Sequence, residues 1–202
     1  MKIMARTISI TDLPPAPGED EHASIALANS GGWEMGSESV DLLGGPRHTT
    51  DWMIARGLAA TDADVQEYCS NRLRSFRGDV RAVLDAAVSN QPPPATAVEA
   101  INAAMKLAPV FDRLAWHESQ GFSAVAEHPE TQAVEHAMSA VATDVLGLVV
   151  GPHGALLARC NAPACGRFLL RTHPRRHWCS TRCGDRVRAA RAYERKARAA
   201  LP

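Results

Sequence analysis

The stretch RCNAPACGRFLLRTHPRRHWCSTRC, residues 159–183, contains four of the five cysteines in this 202-residue chain. They form two close pairs, Cys160 with Cys165 and Cys179 with Cys183, and 13 residues separate the pairs. Two such pairs allow a chain to surround a tetrahedral ion, because each pair supplies two thiolates from one tight turn. Zinc is the metal that this set favours, since it suits four sulfur ligands and needs no redox partner. An iron–sulfur cluster is the alternative, although nothing else in the chain indicates electron transfer.

The residues around these cysteines predict a small ββα module of treble-clef type. Residues 155–160 and 166–171 have the composition of strands, and a helix is predicted to begin at Ser180. Cys179 and Cys183 are four positions apart, so they project from the same face of the helix start. The helix dipole favours thiolates there. A closed, structural Zn²⁺ site would supply most of the folding energy of so small a module.

Two histidines in the same stretch, His173 and His177, are the substitute metal ligands. Either could also act as a base in a nuclease, but only beside an open metal position, and four cysteine ligands close that position. The remaining residues carry no phosphate-binding GxxxxGK[ST] motif and no GxGxxG, GxSxG or HExxH signature. We therefore do not expect an enzyme.

Positive charge is concentrated in the cysteine-rich part of the chain. The formal net charge is zero, yet 12 of the 22 basic residues and only two of the 22 acidic residues lie from Arg159 onward. The rest of the chain is correspondingly acidic. A split of this size predicts two units with different surfaces, one of them suited to a polyanion.

Eleven of those 12 basic residues are arginines, whose planar fork binds phosphate through two hydrogen bonds. DNA is therefore the expected partner, through phosphate contacts that position a protein without reading base sequence. The alternatives are docking onto an acidic protein surface, such as the chain's own N-terminal part, and a merely solvated basic face. The candidate DNA-binding residues are Arg175, Arg176, Arg186, Arg188, Arg191 and Arg195.

Helical periodicity dominates the chain before residue 150. Apolar residues recur every three or four positions from Val65 to Val88 and again from Val134 to Leu148. A capping-box pattern at residues 61–64 predicts where the first of these helices begins. The fold class that follows is mainly α: a helical N-terminal bundle with a small β element near its start, followed by the zinc module.

Shorter segments complete this prediction. Residues 24–30 fit a short strand or a helical turn, and residues 49–58 fit a short helix capped by Thr49 or Thr50. The sequence GPHG, residues 151–154, stops the last long helix and is the best candidate linker. It divides the chain into predicted domains of residues 1–152 and 153–202.

Nothing in the sequence predicts export or membrane insertion. Charged residues interrupt the start of the chain before any apolar run develops. The aliphatic run at residues 145–150 is far shorter than the roughly 20 residues that span a bilayer. We expect a cytoplasmic protein without a membrane partner, and in that reducing compartment clustered cysteines are metal ligands rather than disulfides.

The string RRHWCSTRCGDRVRAARAYER, residues 175–195, closely resembles the signature of the CGNR zinc-finger family. The tetrad that names the family is here Cys183-Gly184-Asp185-Arg186, with aspartate in place of the family's asparagine. The other residues that carry the resemblance are Cys160, Cys165, Phe168, Arg175, Arg176, Trp178, Cys179 and Ser180.

The resemblance implies an N-terminal ABATE domain and a role as a stress-induced transcription regulator. Residues 24–30 and 51–58 resemble the ABATE layout more weakly. In such proteins the N-terminal domain is thought to sense an effector, and a homodimer would increase DNA affinity. The rival hypothesis is a zinc-stabilised interaction module whose basic face docks on an acidic protein.

Overall fold

The computed structural model describes residues 14–35, 38–108, 111–119, 121–127 and 132–199. Within these ranges the chain forms six α-helices, three two-stranded antiparallel sheets and a 3-10 helix. In chain order they are α1 (Ala23–Asn29), β1 (Gly31–Met35), β2 (Glu38–Asp41), α2 (Pro46–Ala55), α3 (Glu67–Ser89), α4 (Ala95–Ala104), β3 (Phe111–His117), β4 (Gly121–Glu127), α5 (Ala133–Val150), the 3-10 helix (Pro152–Leu156), β5 (Leu157–Arg159), β6 (Phe168–Leu170) and α6 (Thr181–Ala199).

The predicted mainly α fold is confirmed, and α1, α3, α4 and α5 build its core. On α3, Leu73, Val80 and Leu84 are fully buried at the spacing of one helix face. On α5, Val145 and Leu148 supply the facing apolar surface. Burial of these stripes stabilises the bundle through the hydrophobic effect, at about 1.5–3 kcal/mol for each large side chain.

Two helices begin at residues other than those that the capping patterns predict. Helix α3 begins at Glu67, after the capping-box pattern, and it ends at Asn90 in the left-handed conformation. Helix α2 begins at Pro46, so Thr49 and Thr50 lie inside it and donate hydrogen bonds to backbone carbonyls four residues back. Proline favours the first helical turn, and this preference places the start earlier than the threonines do.

Residues 24–30 form most of a buried helix, α1, rather than a strand. The hairpin of β3 and β4 was not predicted at all. Three of its apolar side chains, Leu114, Trp116 and Phe122, are 61–70% exposed. Apolar residues on a solvent-facing surface blur the alternation by which a strand is recognised. The clearest local signal is Gly121, whose positive φ of 77° closes the turn between the strands.

Among the described residues, one helix is long and apolar enough by length and composition to cross a bilayer, namely α5. Half of it is buried inside the fold. It packs against α1, α3 and α4, its Glu135 forms an ion pair with Arg72, and its Asp144 is hydrogen-bonded to His22. Its apolar character therefore serves the core of the bundle.

The C-terminal hairpin shares this core with the helices. Phe168 and Leu170 of β6 belong to the same apolar cluster as the helical residues. The side-chain amide of Asn29 donates to the carbonyl of Phe168 at 2.9 Å and accepts from the N–H of Phe168 at 2.7 Å. The N–H of Leu170 donates to the carbonyl of Pro17 at 2.8 Å. The hairpin is therefore seated on the bundle by backbone hydrogen bonds as well as by apolar burial.

A buried ion pair lies beside this seat. Arg167 donates to Glu19 at 2.5 Å, and each side chain is only 5% exposed. Glu19 also accepts hydrogen bonds from Asn29 and Arg56. Burial lowers the pKa of Arg167 while the charge of Glu19 raises it, and the net shift is upward. Arg167 therefore stays protonated, and its contact with Glu19 fixes the residues before α1 to the zinc module.

We predict that Glu19→Gln lowers the free energy of unfolding by about 3–5 kcal/mol, because it leaves the buried charge of Arg167 without its counterion. Asp20→Asn is the matched control. The carboxylate of Asp20 is 82% exposed, and it pairs with Arg56 at the longer distance of 3.6 Å. Urea denaturation of the metal-loaded protein measures both. Equal effects of the two substitutions would contradict the structural role of the buried pair.

Candidate metal centre and basic surface

The first cysteine pair is held by a tight turn between β5 and β6. Cys160 follows the end of β5, and its N–H donates to the carbonyl of Arg167 at 2.9 Å. Cys165 N–H donates to Ala162 at 3.1 Å, and Ala164 adopts a left-handed conformation with φ of 55°. This turn directs both sulfurs to one side of the hairpin, as the spacing predicts.

The second pair is held by the start of α6. The hydroxyl of Ser180 accepts a hydrogen bond from Cys183 N–H at 3.3 Å, which makes Ser180 the N-cap of the helix. Cys179 precedes the cap, and its N–H donates to the sulfur of Cys160 at 3.3 Å. The predicted ββα arrangement, with one pair on the hairpin and one at a helix start, is what the structure contains.

The four sulfurs lie within 4.8 Å of one another. The sulfur of Cys179 is 3.8 Å from that of Cys165 and 3.7 Å from that of Cys183. A tetrahedral ion with metal–sulfur bonds of about 2.3 Å places its sulfurs about 3.8 Å apart. The cluster therefore has the dimensions of a four-thiolate metal site. His173 and His177 are exposed and take no part in the cluster.

The thiols of this cluster do not ionise independently. Hydrogen bonds from Cys165 and then Cys179 lower the pKa of Cys160, so its thiolate forms first. Hydrogen bonding to Cys160 raises the pKa of Cys165, and hydrogen bonding to Cys160 and Cys165 raises the pKa of Cys179. A metal that takes all four sulfurs must therefore displace protons from the later ones.

Two guanidinium groups lie next to the sulfurs. Arg167 is 3.9 Å from the sulfur of Cys179, and Arg186 is 4.0 Å from that of Cys183. Four thiolates around a divalent ion would leave an excess of two negative charges, which Arg186, and Arg167 in part beside its pairing with Glu19, would reduce. The sequence predicts that Arg186 contacts DNA, and no sequence signal shows that either arginine approaches a sulfur.

Gly184 allows close packing against an aromatic ring. A Cβ at this position would lie 3.1 Å from the ring of Trp178 and 3.1 Å from the guanidinium of Arg188. Trp178 in turn packs on the small apolar cluster around the cysteines, and Arg188 lies over its ring at 5.8 Å. The absence of a side chain at Gly184 therefore makes room for the ring of Trp178.

The arginines of the module divide into two groups. Arg159 and Arg167 face the helical bundle, where they pair with Asp85 and Glu19. The other group is exposed or half-buried and forms no ion pair with the helical bundle among the described residues. It comprises Arg171, Arg175, Arg176, Arg182, Arg186, Arg188, Arg191, Arg195 and Arg198.

Three arginines of the second group surround a concave site of about 310 Å³. Arg175 and Arg176 come from the loop after β6, and Arg188 comes from the second turn of α6. The site is completed by His173, His177, Trp178, Ser180, Thr181 and Gly184. Of the remaining predicted DNA-binding residues, Arg191 and Arg195 are exposed further along α6, and Arg186 donates to the carbonyl of Pro163 at 2.7 Å.

The fold and the cysteine cluster together define a helical domain joined to a treble-clef-type metal module. A profile of the ABATE domain, described as "Putative stress-induced transcription regulator", matches residues 21–152. A profile of the CGNR zinc finger matches residues 157–196. The chain thus belongs to the ABATE family and carries a CGNR zinc finger, so the resemblance drawn from residues 175–195 is confirmed. No curated protein matches the chain.

We predict that Cys179→Ser abolishes the binding of Zn²⁺ by the cysteine cluster and unfolds the C-terminal module, because three sulfurs no longer close the tetrahedron. Cys69→Ser is the matched control, since Cys69 is a half-buried cysteine on α3 away from the cluster. Titration with Co²⁺, which gives intense sulfur-to-metal absorption bands at a thiolate site, and circular dichroism of both variants test this. A Cys179→Ser variant that binds Co²⁺ with the same sulfur-to-metal bands as the wild type would contradict the four-cysteine site.

We also predict that the affinity for Zn²⁺ falls as the pH is lowered from 8 to 6. Binding must remove protons from Cys165 and Cys179, whose pKa values are raised, and each proton released changes the affinity about tenfold per pH unit. Competition with a chelator at several pH values measures the slope. An affinity that does not change with pH would show that the thiols are already ionised in the metal-free protein.

Proposed function

We propose that this protein is a zinc-binding transcription regulator that holds DNA with the basic surface at the start of α6. The observation that carries the proposal is the concave site in which Arg175, Arg176 and Arg188 converge around the first turn of a helix. Membership of the ABATE and CGNR zinc-finger families supports the regulatory role.

Zn²⁺ is the ion that the four cysteines favour. Cys160, Cys179 and Cys183 are 2–6% exposed, so the ion would be enclosed. Four soft sulfurs at tetrahedral spacing suit zinc, and its role would be to hold the β5–β6 turn against α6. Such a closed set leaves no coordination position for water, and the proposed function therefore contains no catalytic step.

The concave site has the chemistry that a phosphate group requires. Guanidinium groups supply charge-assisted hydrogen bonds, and the hydroxyls of Ser180 and Thr181 add neutral donors. The first N–H groups of α6 and its dipole favour an anion at the same place. The ring of Trp178 is partly exposed in this site, so a sugar or base can also contact it.

Helix α6 extends the basic surface beyond the concave site. Arg191 and Arg195 lie three and seven residues after Arg188, so they continue the same helix face. The 19 residues of α6 span about 28 Å, which is enough to follow a DNA strand over several phosphates. Tyr193 is 76% exposed on the same helix, and no element among the described residues covers it.

The rival hypothesis, docking on an acidic protein, receives support from a different set of arginines. Arg159 and Arg167 already pair with acidic residues of the bundle. This accounts for part of the arginine excess without nucleic acid. It leaves Arg175, Arg176 and Arg188 without an acidic protein partner among the described residues, apart from the contact of Arg188 with its helix neighbour Asp185.

The proposal is tested by fluorescence anisotropy of labelled duplex DNA over a series of salt concentrations. We predict steep salt dependence, with a log–log slope of about −0.9 for each phosphate contacted. The double variant Arg175→Ala/Arg176→Ala is expected to reduce the slope by up to about two. Arg47→Ala is the matched control, because Arg47 is exposed on α2, far from the module in sequence.

The outcome that overturns the proposal is a zinc-loaded protein that binds no DNA at low salt. The basic surface would then belong to an acidic protein partner. A salt slope that is the same in the double variant as in the wild type would instead move the DNA contacts away from the concave site.

Asp185, the departure from the family tetrad, provides a further prediction. Its carboxylate pairs with Arg188 at 2.5 Å, and both side chains are more than 60% exposed. Asp185→Asn removes a negative charge beside the proposed phosphate site and releases Arg188. We predict DNA binding about two- to fivefold tighter, since an exposed pair is worth up to about 1 kcal/mol. Unchanged affinity in the same anisotropy assay would place Arg188 outside the contact.

A further inference from the structure

A second cluster of metal-binding side chains lies at the junction of the two matched segments. Glu21 and His22 immediately precede α1, and His153 lies in the 3-10 helix that follows α5. The first family profile ends at residue 152, the first residue of that 3-10 helix, and the second begins at residue 157, directly after it. Ligand atoms of the three side chains lie within 4.8 Å of one another.

The hydrogen bonds of Asp144 fix the orientation of His22. One carboxylate oxygen of Asp144 lies 2.8 Å from Nδ1 of His22. The other accepts hydrogen bonds from the N–H and the hydroxyl of Ser24, at 2.8 and 2.5 Å. An ionised carboxylate only accepts, so Nδ1 of His22 donates to it. In a neutral ring the second nitrogen, Nε2, then carries the free lone pair.

That lone pair points at another imidazole nitrogen. Nε2 of His22 is 2.8 Å from Nδ1 of His153, and the two rings meet edge to face with an interplanar angle of 81°. A histidine that donates one N–H to a carboxylate and keeps its other nitrogen beside further ligand atoms has the arrangement found in metal-ligating histidines. The carboxylate of Glu21 is the third group, within 4.8 Å of a nitrogen of each histidine.

We propose that Glu21, His22 and His153 bind a divalent transition-metal ion, with Asp144 positioning His22. Two imidazoles and a carboxylate suit ions such as Zn²⁺, Co²⁺ or Ni²⁺ rather than Ca²⁺ or Mg²⁺, which prefer oxygen ligands. Glu21 is exposed and both histidines are half-buried, so water can complete the coordination.

Only a small rearrangement is needed to admit the ion. Bonds of about 2.0–2.1 Å to each nitrogen in a tetrahedral site place the two nitrogens about 3.4 Å apart. The two rings, now 2.8 Å apart at these atoms, would separate by about 0.6 Å. Neither ring is fully enclosed, so this movement does not require repacking of the core.

The same short segment of chain connects this site with the zinc module. Pro17 accepts a hydrogen bond from Leu170, and Glu19 pairs with Arg167, only a few residues before His22. An ion bound at the junction would therefore tie the 3-10 helix to the segment that already holds the module on the bundle.

The test uses full-length protein whose four-cysteine site is loaded with Zn²⁺, titrated with Co²⁺ and followed by absorption spectroscopy and calorimetry. We expect one further equivalent to bind, with weak ligand-field bands and without the intense sulfur-to-metal bands of a thiolate site. His153→Gln should abolish this binding, and Asp144→Asn should weaken it about ten- to hundredfold. His48→Gln, which changes an exposed histidine on α2, is the matched control.

A protein that takes up no additional Co²⁺ would overturn the proposal and leave the histidines as a hydrogen-bonded pair. So would additional binding that survives in His153→Gln. Growth of the sulfur-to-metal bands would mean that Co²⁺ replaces Zn²⁺ at the cysteines, and this result would also contradict a second site. The thermal unfolding temperature of His153→Gln without Co²⁺ shows whether this variant is folded. As an independent readout, added Co²⁺ should raise the unfolding temperature of the wild type and leave that of His153→Gln unchanged. DNA affinity does not enter this experiment, so its outcome is separate from the proposed function.

Discussion

Four sulfurs held within 4.8 Å of one another are the constraint on which the C-terminal part of this protein depends. Hydrogen bonds from the neighbouring thiols stabilise the thiolate of Cys160, and the same hydrogen bonds keep those thiols protonated, so the four sulfurs do not all ionise by themselves. A divalent cation bound by all four sulfurs would replace these protons and would act as one cross-link. The cross-link joins a hairpin to a helix that shares only a small apolar cluster with it. The basic surface at the start of α6 has its shape only while that cross-link holds.

The metal site was largely predictable from the sequence because its information is local. The spacing of Cys160 and Cys165 fits one turn, and the spacing of Cys179 and Cys183 fits the start of a helix. The long helices α3 and α5 were predictable for a similar reason, since their apolar residues repeat every three or four positions. Tertiary packing does not alter a pattern of that length.

The features that the sequence does not predict depend mainly on contacts between residues that are distant in the chain. Arg167 looked like its neighbours in a basic stretch, but Glu19, 148 residues earlier, makes it a buried structural residue. The hairpin of β3 and β4 was missed because its apolar residues face solvent, as Trp116 does. The capping patterns also predict the wrong first residues for α2 and α3. The proline of α2 and the packing of α3 outweigh the capping hydrogen bonds, which are worth about 1 kcal/mol each.

The shared core has a consequence for how this module can be inherited. Phe168 and Leu170 are buried among residues of the helical bundle, not within the zinc finger itself. If a gene fragment that encodes only the finger were fused to another protein, the apolar strand β6 would be exposed to solvent. The charge of Arg167 would also have no counterion. The finger is therefore not an independently folding domain, unlike zinc fingers that occur as tandem repeats and fold separately. Recombination within this family should preserve the two segments as one heritable unit, with the residues just before α1 included.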